Sequence, residues 1–227
     1  MSELESALYP GVEKFVKKTF GCYAAGINVG LKMGRIDVVG IRDTGGDHVG
    51  RDELIAVEVK RGTQPFATCA GQTVGYSIFA EQCYLAEWRP KNPFTTDEIA
   101  IASRLGIGLI QIKSQTNMTV VLSAPTQTPI ERLKTQLCDK LGYGKCTVCQ
   151  SLFVRGTTPK KYDKVVRQSA NTSKALVRAV ELEKGLVYWL HHSHEMVNGE
   201  TGSTVYRRRF VCPDCVASLF AHLKPNP

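Results

Sequence analysis

Three charged side chains stand where a sheet protein ordinarily places apolar ones. Asp37 lies in the run Gly34-Arg35-Ile36-Asp37-Val38-Val39-Gly40-Ile41, and Glu58 and Lys60 lie in Leu54-Ile55-Ala56-Val57-Glu58-Val59-Lys60. Both runs are rich in β-branched residues, and the polar break Asp43-Thr44-Gly45-Gly46-Asp47 between them predicts two strands joined as a hairpin. Strand alternation sets Glu58 and Lys60 on one face, with Val57 and Val59 on the other. Asp37, at the head of the paired strand, can meet them. Burying such groups is costly, and two adjacent carboxylates repel unless a cation lies between them. The constellation is that of a divalent metal site.

A second constellation lies towards the C-terminus, where Cys146-Thr147-Val148-Cys149 is matched by Cys212-Pro213-Asp214-Cys215. Four thiolates complete a tetrahedral shell, and a spacer of two residues lets both sulfurs of a pair reach one ion, so the pattern predicts a structural Zn²⁺ with no open position. His191, His192 and His194 lie between the pairs. With four cysteines at hand they read as residues of an exposed loop or hairpin; a second metal, or one histidine replacing a cysteine, is the alternative.

The bulk numbers narrow the function classes. A net charge of +8 and a pI near 9.1 favour a polyanionic partner, of which nucleic acid is the simplest. No apolar stretch approaches the length of a membrane span, and the start Met1-Ser2-Glu3-Leu4-Glu5 is acidic where a signal peptide is basic, so a cytoplasmic protein is expected. Eight cysteines without a secretory signal argue against a disulfide framework, leaving Cys22, Cys69, Cys83 and Cys138 reduced and buried. No glycine-rich phosphate loop of Walker or dinucleotide type is present.

The elements that must position these residues follow from periodicity. A helix is expected over 3–20, with a break at Tyr9-Pro10-Gly11, then a strand over 22–31 before the hairpin. A helix over 67–80, a strand over 82–86, a helix from about 96 to 105 capped by Thr95 or Thr96, and a strand over 106–112 come next, with an edge strand near 120–124. This order predicts an α/β domain over 1–124, a mixed central sheet flanked by helices. Residues 125–141 read as a linker and bridging helix, and 142–227 as a small zinc-binding domain with strands at 187–190 and 205–210 and a helix over 216–223.

An Asp heading one strand, followed by Glu-x-Lys on the next, resembles the PD-(D/E)xK nuclease superfamily, the fold of many restriction endonucleases and Holliday-junction resolvases. The resemblance covers about 4–112, including the closing helix and the strand Gly106-Ile107-Gly108-Leu109-Ile110; Ile36 stands where the name-giving Pro would be. It implies a restriction-endonuclease-like core in which Asp37 and Glu58 hold Mg²⁺ or Mn²⁺ while Lys60 positions or polarises the attacking water. It further implies that Gln72, with Tyr76 beside it, supports the metal centre, and that an acid of the first helix, Glu13 or Glu5, points into it. The C-terminal knuckle, hairpin and helix look like a treble-clef zinc finger. Together these readings lead to the expectation of a Mg²⁺-dependent DNA endonuclease. A nuclease-like adaptor without cleavage activity and an RNA-directed nuclease are the alternatives. Cutting both strands of a duplex takes two sites, which makes a homodimer an option. Lys160, Lys161, Lys164, Arg167, Arg178 and Arg207-Arg208-Arg209 are expected to contact phosphate.

Overall fold

The computed structural model describes residues 5–31, 34–45, 52–154, 179–182, 185–192 and 205–223. The chain divides into two compact units, Met1–Leu141 and Gly142–Pro227. In the first, helix α1 (Tyr9–Phe20) precedes the strands β1 (Ala24–Leu31), β2 (Gly34–Asp43) and β3 (Asp52–Lys60), all antiparallel neighbours. Helix α2 (Phe66–Gly75) crosses over to β4 (Gln82–Trp88), and α3 (Thr96–Leu105) crosses to β5 (Gly108–Ile112). Both connections join parallel neighbours, and β6 (Met118–Leu122) closes the edge antiparallel to β5. The product is a mixed six-stranded sheet in the order β1-β2-β3-β4-β5-β6 with helices against it.

Local chemistry accounts for the boundaries. Pro10, in the first turn of α1, lacks an N–H that no helix start could pair, so the Tyr9-Pro10-Gly11 signal marks the start of this helix where a break was expected. Thr95 and Glu98 make a complete capping box at α3, and Gly106 ends that helix in the left-handed region with φ 70°. Helix α2 is shorter than its predicted span and passes into a tighter 3₁₀ turn over Tyr76–Ile78.

Alternation along the strands gives each face its own core. Val38, Val57, Val59, Tyr84, Ala86, Ile110 and Ile112 pack beneath Leu8, Val12 and Val16 of the N-terminal helical segment. The opposite face receives α2 through Cys69, Ala70 and Thr73, all buried. Gly40 of β2 lies under α1, where a Cβ would sit 2.5 Å from Val16 Cγ1 and 2.7 Å from Cys22 Sγ. We expect Gly40→Ala to destabilise the fold by about 1–3 kcal/mol, read as a lower urea midpoint with an unchanged slope.

Helix α4 (Glu131–Lys140) is not the free bridge that its polar, proline-flanked approach suggested. It buries Leu133, Leu137 and Cys138 and packs along β1, and Lys134 forms an ion pair with Glu81. Those contacts assign it to the first unit.

The second unit contains the short hairpin β7 (Tyr143–Lys145) with β8 (Leu152–Val154). It also contains an antiparallel sheet of β9 (Ala179–Leu182), β10 (Gly185–His192) and β11 (Val205–Val211), followed by α5 (Pro213–Leu223). His191 and His192 stand on β10 opposite Tyr206 and Val205. The expectations for Lys160, Lys161, Lys164, Arg167, Arg178 and His194 fall outside the described residues.

Candidate functional site

The β2–β3 ladder pairs Asp43 with Asp52 at one end and Val38 with Val57 at the other, one residue short of Asp37 and Glu58. Beyond that point side chains meet the backbone groups. The Asp37 carboxylate accepts the Val59 N–H through Oδ2 at 2.9 Å, and the Tyr76 hydroxyl lies 2.8 Å from the Arg35 carbonyl oxygen. The charged groups gather where this ladder ends.

Each carboxylate oxygen of the pair has a donor. Tyr9, at the start of α1, donates to Asp37 Oδ1 at 2.8 Å. Lys60 Nζ lies 2.6 Å from Glu58 Oε1, and the Tyr76 hydroxyl meets Glu58 Oε2. Glu5 completes the group, its Oε1 3.4 Å from Lys60 Nζ. Glu58 and Lys60 are buried, although neither sits in an apolar core. Three carboxylates and one ammonium leave the cluster with a formal charge of −2 at neutral pH.

The titration of these groups reflects that imbalance. Burial, and then the neighbouring Glu58 charge, push the Asp37 carboxyl up to about 6, because the donors it meets at hydrogen-bond distance, Tyr9 and the Val59 amide, are neutral. Burial works to lower the Lys60 ammonium, but the Glu58 carboxylate, with Glu5 and Asp37, more than offsets this, and its pKa lies above the ordinary value. Burial and the adjacent carboxylates raise the phenols of Tyr9 and Tyr76 as well. At neutral pH both remain O–H donors and Lys60 remains a cation.

Asp37, Glu58 and Lys60 thus come together as their alternation and spacing suggested. Two other assignments need correction. Glu13 pairs with Lys17 at 2.7 Å along the helix, and Glu5, a little over two turns earlier, is the acid that reaches the site. Gln72 is exposed on α2, while Tyr76 faces the carboxylates. Cys69, Thr73 and Tyr76, spaced four and three apart, form the inward stripe, and Gln72 falls to its side. Tyr9 carried no functional signal in the sequence, since its neighbours Pro10 and Gly11 mark only a change of backbone.

The cysteine cluster is built from two separate turns. Cys146 and Cys149 occupy the β7–β8 connection, where the Cys146 N–H donates to the Ser151 carbonyl at 2.9 Å and the Gln150 N–H to the Cys146 carbonyl at 2.9 Å. Gln150 takes the left-handed backbone, φ 64°, that closes this knuckle. Cys212 follows β11 and Cys215 lies in the first turn of α5. Thr147 fastens the two turns, its N–H and hydroxyl both donating to the Phe210 carbonyl at 2.8 and 3.0 Å. All four Sγ atoms lie within 4.8 Å of one another, and Cys149 and Cys212 are 3.7 Å apart. A tetrahedral thiolate shell with metal–sulfur bonds of about 2.3 Å has sulfurs about 3.8 Å apart, so the four cysteines are positioned to hold one metal ion.

Among the described residues, no helix is long and apolar enough to cross a membrane. Comparison with protein-family models, with curated proteins and with solved structures finds no match for this chain.

Proposed function

We propose that this chain is a divalent-metal-dependent nuclease of the PD-(D/E)xK kind, acting on DNA and carrying a treble-clef-like zinc finger. The observation that carries the reading is the acidic excess: Asp37, held by neutral donors, converges with Glu58 where β2 and β3 part, and Lys60 is the cation paired to Glu58. A carboxylate held by neutral donors beside a second carboxylate is a place for a cation. Asp37 and Glu58 would hold Mg²⁺ or Mn²⁺, which supplies an activated water and charge stabilisation at the phosphate. Lys60, still an ammonium at neutral pH, orients that water and neutralises charge developing on the phosphoryl oxygens; it does not serve as the base. Tyr9 and Tyr76 fix the two carboxylates in the manner of outer-shell donors at metal sites. The four-cysteine set leaves no open position, so Zn²⁺ there would be structural.

The net charge of +8 suits a nucleic-acid substrate. The test is a panel of supercoiled plasmid, linear duplex, single-stranded DNA and RNA, each incubated with the zinc-loaded chain and either Mg²⁺, Mn²⁺ or EDTA. Metal-dependent cutting of a DNA substrate is expected. Cutting of RNA alone would move the reading to an RNA-directed nuclease, and binding without cutting of any substrate would move it to an adaptor.

A further inference from the structure

Arg35 is exposed, with its backbone held in the β1–β2 ladder. It stands opposite Gly30 in the β1–β2 ladder. A Cβ on Gly30 would lie 2.6 Å from Arg35 Cα and 2.7 Å from Arg35 Cγ, so the glycine makes room for the arginine to lie against β1. Asn28, two residues before Gly30, adopts φ 54°, a left-handed conformation uncommon outside glycine. Its position falls between Ile27, opposite Val38, and Val29, opposite Ile36, which sets it level with Asp37. From there its Oδ1 accepts a long hydrogen bond, 3.4 Å, from Arg35 Nη1. The Arg35 carbonyl, finally, meets the same Tyr76 hydroxyl that meets Glu58.

These contacts have one consequence in common. Arg35 and Asp37 are two apart on β2 and share a face, yet the contact of the guanidinium among the described residues is a neutral carboxamide, not a carboxylate of the site. A free arginine beside Glu5, Asp37 and Glu58 would be drawn onto them. This one is led away by Gly30 and Asn28, and among the described residues Asn28 is the side chain that meets its five N–H donors. Two residues along a strand span about 6.6 Å, similar to the separation of consecutive phosphates on one nucleic-acid strand.

We propose that Arg35 binds a backbone phosphate of the substrate next to the scissile one, with Asn28 and Gly30 setting its reach. The inference rests on the nuclease reading and adds a phosphate subsite to it. A bidentate guanidinium contact at that point would fix the register of the strand over Asp37 and Glu58 without reading any base.

The experiment measures binding of labelled duplex and single-stranded oligonucleotides to the zinc-loaded full chain by fluorescence anisotropy, with Ca²⁺ replacing Mg²⁺ and salt varied. For Arg35→Gln we expect about tenfold weaker binding and a slope of log K against log salt smaller by about one. Arg35→Lys should keep the salt slope, because the charge remains, and lose part of the affinity with the fork geometry. Binding of Mn²⁺ alone, followed by loss of the free-ion EPR signal, should be no weaker in Arg35→Gln than in the wild type. Wild-type affinity and salt slope in Arg35→Gln, in a protein whose wild type cuts DNA, would overturn this inference alone. A wild type that binds none of the oligonucleotides would remove the nuclease reading and this inference together.

Discussion

Asp37→Asn should make the metal-free protein more stable while removing its cutting activity. The native site raises the Asp37 carboxyl from its ordinary 3.8 to about 6, chiefly through burial and the Glu58 charge. Between those values the folded chain holds this proton more tightly than the unfolded chain does. The contribution of Asp37 to stability is therefore full below about 3.8 and is lost as the pH rises through about 6. An amide removes that loss: its oxygen still accepts the Val59 N–H, and the Tyr9 hydroxyl can turn to accept from its NH₂ group. We expect the melting temperatures of wild type and Asp37→Asn to coincide near pH 4 and to separate by a few degrees in favour of the variant above pH 6, measured in EDTA-treated buffer with zinc restored. Cleavage should fall by on the order of a thousandfold or more, since loss of a catalytic cation costs several kcal/mol of barrier. A residue kept only for packing would change stability and activity in the same direction. Opposite signs mark a group that is held against the interest of the fold for the sake of a ligand.

Removing zinc should unfold the second unit and leave the first intact. Among the described residues the second unit's buried cluster is Cys146, Val211 and Cys212 with Phe153, Cys215 and Val216 around it, so two of these three buried members belong to the four-cysteine set. Apart from the cysteines' shared ion, the β7–β8 knuckle meets the end of β11 through the Thr147 bonds to Phe210 and the ring contact of Phe153 with Phe210. Structural zinc supplies about 10–16 kcal/mol of apparent binding free energy in zinc-finger peptides, so its loss is expected to weigh heavily on a unit whose two cysteine turns share one ion. The first unit has a separate core spanning Leu8 to Ala124. Hydrogen exchange after treatment with a zinc chelator, or in Cys212→Ser, should show lost protection for the amides of β7, β8, β10 and β11. Amides of β2 to β5 should remain protected. Loss of protection in both units at once would contradict this division.

The sequence made the sheet and its charged pair legible because both depend on a period of two. Glu58 and Lys60 must share a face in any strand containing them, and the buried valines on either side confirm which face is apolar. The four cysteines were legible for a similar reason, since a two-residue spacer fixes the geometry of each pair by itself. The outer parts of the site depend on where helices start and stop. Glu13 lies on α1 and Glu5 ahead of it, and it is the acid before the Pro10-marked start of the helix that reaches Lys60. Tyr76, at the end of α2, continues the inward stripe of Cys69 and Thr73, whereas the burial that leaves Gln72 to the side of that stripe is set by packing and not by spacing alone. Arg35 was hidden for another reason: its position depends on Gly30 and Asn28 across the ladder, a relation visible only in the register. The packing of 131–140 is not legible from composition, because a polar helix after a proline-containing stretch reads as a linker, and it is the burial of Leu133, Leu137 and Cys138 that distinguishes it.

The most direct test of the account is single-turnover cleavage of the preferred DNA substrate from the panel in Mg²⁺, with wild type, Asp37→Asn and Lys60→Ala compared as zinc-loaded, folded proteins. The account predicts metal-dependent cutting by the wild type and its loss in both variants, with binding of the same DNA in Ca²⁺ retained by Asp37→Asn. Equal cutting by all three proteins, or none by a wild type that folds and binds, would contradict it.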